Sequence, residues 1–227
     1  PLIKEDEEAG ACGETCCVCC PDAACEKPGL LSKLNRCYVT IEGLRYCVNG
    51  APILHGVDIV LRPGELTAVM GASGAGKSTL LELAAGRREA GTTTGRVAYN
   101  GVPLSPALRH CIAFVHQHDV ALATLTVRET LRYAAALRMP HAAADRGEAV
   151  ERMLSLLRLG ACADTRVERV SGGERKRLSI GVELVRSSPV LLLDEPTTGL
   201  DSDTALNLAR VLSRLARGDA RGGAPRA

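Results

Sequence analysis

The sequence predicts an α/β domain with a mainly parallel sheet. Three observations carry this reading. A glycine-rich segment, Gly71-Ala72-Ser73-Gly74-Ala75-Gly76-Lys77-Ser78-Thr79, follows the apolar run Leu66-Thr67-Ala68-Val69-Met70 and precedes Leu80-Leu81-Glu82-Leu83-Ala84-Ala85, a run of strong helix formers. A continuous apolar run, Val190-Leu191-Leu192-Leu193, ends in Asp194 and Glu195, as a central strand covered on both faces does. Between these two landmarks short strands give way to helices before the buried strand returns, the order expected of an α/β domain.

The elements follow in order. Residues 1–33 read as a tail, acidic at Glu5-Asp6-Glu7-Glu8, then cysteine-rich, then Pro28-Gly29. Tyr38-Val39-Thr40-Ile41 and Val57-Asp58-Ile59-Val60-Leu61 have the alternating or continuous apolar character of strands. Residues 66–70 read as a buried strand leading into the glycine-rich segment. Arg96-Val97-Ala98-Tyr99 followed by Asn100-Gly101 predicts a strand and hairpin turn. His110-Cys111-Ile112-Ala113-Phe114-Val115 predicts a short buried strand. Thr126 with Glu129 three positions on makes a capping box, opening a helix through about Met139 that Pro140 ends. Val150, Met153, Leu154 and Leu157 share one face of a second helix. A third follows Ser171-Gly172-Gly173, with Leu178, Val182 and Val185 inward. A last helix follows Ser202, with Leu208, Val211, Leu212 and Leu215 inward, and residues 218–227 dissolve into a Gly/Ala/Arg tail.

Composition narrows the function classes. The chain has 227 residues and 46% hydrophobic content but only 2% aromatic, so its core is built from Leu, Val, Ile and Ala. Lys plus Arg number 28 against 26 Asp plus Glu, which gives no electrostatic case for nucleic acid. No apolar run reaches the length of a membrane span, and the acidic N-terminal segment does not read as a signal peptide. Cys12, Cys16, Cys17, Cys19, Cys20 and Cys25 crowd the tail. A disordered tail, a zinc site and S-acylation all remain open for them, although five of them this crowded with no histidine nearby fit zinc poorly. Cys37, Cys47, Cys111 and Cys162 read as small buried hydrophobes.

The glycine-rich segment fits G-x-x-x-x-G-K-[ST], the P-loop, in the strand–loop–helix context that the motif requires. Bare N–H groups at the helix start face an anion, Lys77 reaches the β- and γ-phosphates, and Ser78 can ligate Mg²⁺. A nucleoside triphosphate is the implied ligand. Asp194, at the carboxyl end of an apolar strand, is placed to hold Mg²⁺. Glu195 is placed to accept a proton from an attacking water. Ser171-Gly172-Gly173 at a helix start makes a second anion site. Because the P-loop already takes one face of the triphosphate, this second site serves a nucleotide held by another molecule.

Together the P-loop, Ser171-Gly172-Gly173-Glu174, Asp194-Glu195 and Gly199-Leu200-Asp201-Ser202 resemble an ATP-binding cassette over about residues 34–217. The longer runs Ser171–Gly181 and Asp194–Ser202 resemble subfamily G, the white type of half transporter. The resemblance implies a P-loop NTPase core with a mainly parallel sheet, an antiparallel β subdomain and a helical subdomain at about 119–186. It implies ATP and Mg²⁺ as cofactors, with Gly71, Ala72, Ser73, Gly74, Ala75, Gly76, Lys77, Ser78 and Thr79 around the phosphates. Gln117 matches the Q-loop glutamine that ligates Mg²⁺ with Ser78 and Asp194, and Glu195 is the catalytic residue. Tyr46 stands where an adenine-stacking aromatic would sit; a strand-surface tyrosine is the alternative. Ser171, Gly172, Gly173 and Glu174 act in trans, and Asp201 matches the aspartate that communicates across the dimer.

The resemblance also implies a second half transporter as partner, homomeric or heteromeric, and a membrane-associated location at the cytoplasmic face. The family's switch histidine and closing strands lie beyond the segment present, and His55, His110, His116, His118 and His141 all lie upstream. A C-terminally truncated cassette, without the transmembrane domain, is the expectation. Such a chain is expected to bind Mg-ATP weakly and turn it over poorly. A truncated, non-catalytic regulator that binds nucleotide is one alternative. A soluble ATPase of the same superfamily is another, although those serving chromosomes and repair need a long coiled coil that does not fit between Gly71 and Ser171.

Overall fold

The computed structural model describes residues 37–88, 90–109, 111–117, 121–139, 143–186 and 188–218. The tail expected over 1–33, most of that over 218–227, and the positions of His110, His118, Pro140 and His141 lie outside them.

Strands β1 (Val39–Val48), β2 (Ala51–Leu61), β3 (Thr92–Tyr99) and β4 (Val102–Pro103) form an antiparallel sheet in the order β2-β1-β3-β4. Asn49 and Gly50, with φ of 50° and 79°, turn β1 into β2, as a tight hairpin of this handedness requires. A bulge at Glu42 and Gly43 shifts the register of β1 on both neighbours. It moves the inward face from Val39 and Ile41 to Leu44 and Tyr46, all at most 3% exposed. One extra residue inverts side-chain parity along a strand.

Helix α1 (Lys77–Ala84) follows the P-loop. After α2 (Pro106–Arg109), strand β5 (Ile112–Val115) runs parallel to β6 (Val190–Leu193), with Ile112 opposite Val190 and Val115 opposite Leu193. The helical part between them comprises α3 (Val127–Arg138), α4 (Ala143–Leu156) and α5 (Gly172–Leu184); α6 (Ser202–Arg217) comes last. The predicted capping box is present, Thr126 Oγ accepting from Glu129 N–H while Glu129 accepts from Thr126 N–H. Val150, Met153, Leu154 and Leu157 are each at most 2% exposed. They pack with Leu131, Leu178 and the inner face of α6 in one core. A second core joins the antiparallel sheet to α1, Phe114 and Leu192.

Two strand expectations are corrected. Residues 66–70 form no strand, and Leu66, Val69 and Met70 are 49%, 39% and 89% exposed. In β6 only Leu192 is buried. Both results have one cause. A strand needs a neighbour for its N–H and C=O groups, and a cleft of about 470 Å³ separates 66–69 from β6. Among the described residues no ladder joins them, and β6 is paired on one edge only.

Candidate functional site

The P-loop is an exposed turn between residues 66–70 and α1. Gly76 caps α1 in the left-handed region at φ 89° and accepts from Leu80 N–H at 2.8 Å. A Cβ there would also lie 3.0 Å from Leu54 Cδ2, so the position suits glycine alone. Lys77 Nζ donates to the carbonyls of Gly71 (2.9 Å) and Ala72 (2.8 Å), folding the loop over its own ammonium. Ser73, Gly74 and Ala75 form the exposed crown. Ser78 Oγ donates to Asp194 Oδ1 at 2.9 Å, across 116 residues of chain. Thr79 turns the other way: it is 8% exposed and accepts from Arg88, which also pairs with Glu82.

At the carboxyl end of β6, Asp194 N–H donates to Val115 C=O at 3.0 Å, holding the acid beside the end of β5. Glu195 adopts φ 46°, which is uncommon outside glycine. Its Oε2 accepts from Gln117 Nε2 and from Thr198 Oγ1, each at 2.9 Å. The ends of β5 and β6 thus bring Gln117, Asp194 and Glu195 together with Ser78. Three oxygen donors, Ser78 Oγ, Asp194 and Gln117 Oε1, suit a hard cation such as Mg²⁺, which prefers few protein ligands. Among the described residues no group of three His, Cys, Asp or Glu side chains could hold a metal.

The turn at Ser171–Gly173 starts α5. Ser171 Oγ donates to Glu174 Oε2 at 2.8 Å, and Glu174 also accepts from Ser171 N–H. These bonds, the hydroxyl's first, hold the Glu174 carboxyl below its usual range. Ser171 must therefore release Glu174 before it can donate to a phosphate. Gly173 sits against α6, where a Cβ would meet Thr204 Cγ2 at 2.2 Å, and Gly172 faces Leu200. Asp201 caps α6 by accepting from Thr204 N–H at 2.9 Å.

The adenine-stacking expectation for Tyr46 is corrected. The β1 bulge turns the ring inward, where it is 1% exposed. Its hydroxyl donates to the Ala90 carbonyl, and the Arg88 guanidinium lies 5.3 Å from the ring centroid. No ring face is left for a base.

Two residues without an assigned role in the sequence enter the site. Thr198 lay within the run that carries the resemblance, and only the turn that returns it to Glu195 shows its use. Lys176, 5% exposed, donates to the carbonyls of His116 (3.1 Å) and Gln117 (2.9 Å). It ties α5 to the segment bearing Gln117. A lysine within a basic run gives no sequence signal of burial.

Comparison with known proteins agrees with this geometry. A family model described as ABC transporter matches residues 54–198. ATP-binding cassette sub-family G member 8 of Homo sapiens is 45% identical over 76% of this chain and 27% of its own. ABC transporter G family member 22 of Arabidopsis thaliana is 48% identical over 72% of this chain and 23% of its own. The chain thus spans about a quarter of the length of these relatives. The solved structure of cbiO1 from Clostridium perfringens, part of the ABC transporter complex cbiONQ, superposes with a TM-score of 0.73 at 27% identity, covering 80% of this chain and 74% of that one. The chain belongs to the ABC transporter family, as a nucleotide-binding domain of subfamily G.

Proposed function

We propose that this chain is the ATP-binding and ATP-hydrolysing cassette of a white-type half transporter, paired head to tail with a second cassette. The convergence of Ser78 with Asp194 and of Gln117 with Glu195 carries the reading. When bound, Mg-ATP supplies the phosphoryl group to be transferred and the metal charge that offsets the transition state. Lys77 exchanges the Gly71 and Ala72 carbonyls for phosphate oxygens. Ser78, Asp194 and the Gln117 carbonyl oxygen hold Mg²⁺. Glu195 uses Oε1 to accept the proton of the attacking water while Gln117 and Thr198 hold Oε2. Ser171, Gly172 and Gly173 present a helix start to the triphosphate on the partner cassette, and Asp201 reports across the pair. Turnover drives membrane segments outside this chain, from the cytoplasmic face.

A second reading, nucleotide binding without turnover, is favoured by one observation. The unpaired segment 66–70 leaves the P-loop without a ladder behind it. In protein carrying the whole cassette, the Glu195→Gln variant separates the two. The first reading expects wild-type ATP binding with ATPase activity reduced to background. Sustained hydrolysis by the variant would remove Glu195 from the base role, and equal inactivity of wild type and variant would favour the second reading.

A further inference from the structure

Away from the P-loop, a concavity of about 200 Å³ is lined by Arg158, Asn207, Arg210, Val211 and Arg214. Residues 207, 210 and 214 fall at i, i+3 and i+7, one face of α6 beside its buried stripe. Arg158 comes from the turn that ends α4. No ion pair or side-chain hydrogen bond among the described residues includes any of the three arginines. Three other helical arginines are ion-paired: Arg138 with Glu183, Arg128 with Glu151 and Asp164, Arg152 with Glu148.

The backbone supplies a second observation. Leu159 N–H donates to Leu154 C=O at 2.8 Å and Arg158 N–H to Ser155 C=O at 3.1 Å, the paired bonds of a Schellman helix end. Its left-handed position belongs to glycine by preference, yet Arg158 holds it at φ 54°. Arg210 and Arg214 add like-charge repulsion at i, i+4. Both features oppose stability, and both place positive charge on one concavity. A backbone outlier of this kind supports a functional hypothesis.

We propose that Arg158, Arg210 and Arg214 form a binding site for a multiply phosphorylated ligand. Guanidinium groups match phosphate oxygens two at a time, and three around one concavity select several phosphates over one. The Asn207 amide adds a further donor. A soluble polyphosphorylated molecule and a phosphorylated lipid headgroup share this chemistry.

The test measures binding of inositol hexakisphosphate to the full chain by calorimetry. Sedimentation with phosphatidylcholine vesicles, with and without phosphatidylinositol bisphosphate, forms the second arm. Wild type is expected to bind saturably. Arg210→Gln/Arg214→Gln is expected to weaken binding by about 100-fold, at about tenfold for each charge-assisted contact. Arg158→Gly is expected to weaken it about tenfold while leaving Tm unchanged or raised, opposite signs that a structural role does not produce. Vesicle binding that depends on the phosphoinositide and is lost in the variants assigns the ligand to lipid; binding of the soluble probe alone assigns it to solution. The proposal is overturned by absence of binding in both arms, by unchanged affinity in the arginine variants, or by loss in Lys77→Ala alone, which would place the anion on the P-loop.

Discussion

The side-chain amide of Gln117 donates to Oε2 of Glu195 over 2.9 Å, joining the end of β5 to the residue after Asp194. Thr198 donates to the same oxygen from the opposite side of the turn. Glu195 is held in a left-handed conformation with one carboxylate oxygen engaged twice. Thr198→Val removes one donor at nearly constant shape, and Gln117→Ala removes the other. Each is expected to lower kcat by about 10- to 100-fold; KM is expected to change less than about twofold in Thr198→Val and to rise in Gln117→Ala, which also removes the Mg²⁺-binding carbonyl oxygen. Thr198→Ser, which keeps the hydroxyl, is expected to recover most of the loss. Steady-state ATPase kinetics on protein carrying the cassette check this; a Thr198→Ser variant as slow as Thr198→Val would remove the hydroxyl from the account.

Lys77 holds the ligand-free loop together through two carbonyls and is the group proposed to meet phosphate. Lys77→Ala is expected to raise amide hydrogen exchange over residues 71–76 without nucleotide and to weaken ATP binding by about 10- to 100-fold. Exchange unchanged in the variant would mean that the Gly71 and Ala72 contacts do not order the loop.

Gly173 admits no side chain beside Thr204. Gly173→Ala is expected to destabilise by about 1–3 kcal/mol through overpacking, with a matching fall in Tm. Adding Thr204→Ser deletes the methyl group that the new Cβ meets. The pair is expected to regain most of the stability, since coupling of this size marks residues in contact. A double variant no more stable than Gly173→Ala would place the conflict elsewhere.

Acid should loosen α3 and α5 from their N-termini. The Thr126 backbone N–H holds the Glu129 carboxyl low, and the Ser171 hydroxyl does the same for Glu174. Unfolded, both carboxyls regain their ordinary proton affinity, so the unfolded chain binds more protons and stability rises with pH in that window. The contribution is complete above the unfolded value of about 4.5 and is lost as pH falls through the depressed folded values. Thermal melts should show a wild-type Tm that drops below about pH 4.5 more steeply than that of Glu129→Gln/Glu174→Gln. Parallel curves would show that the capping boxes carry no such linkage.

Much of the fold was legible because its signals are local. Thr126 and Glu129 cap α3 by side chains three positions apart, a spacing any helix start imposes. The heptad-like spacing of Val150, Met153, Leu154 and Leu157 needs only the helical period to define a buried face. Asn49-Gly50 carries a hairpin signal of the same local kind. Tyr46 failed because a bulge three residues earlier inverts parity, and no local pattern announces a bulge.

The sequence by itself determined which residues are candidates for phosphate and metal chemistry: the P-loop glycines, Lys77, Ser78, Asp194 and Glu195. Their spacing fixes what their atoms can do. Only the tertiary structure decided their company. Gln117 meets Glu195, Lys176 meets the Gln117 carbonyl, and Ser171 spends its proton on Glu174 because separate elements cross there. The same reason governs residues 66–70, whose apolar run predicts a strand. An apolar run specifies burial, but a strand also requires a neighbouring backbone to pair with, and that lies outside the run.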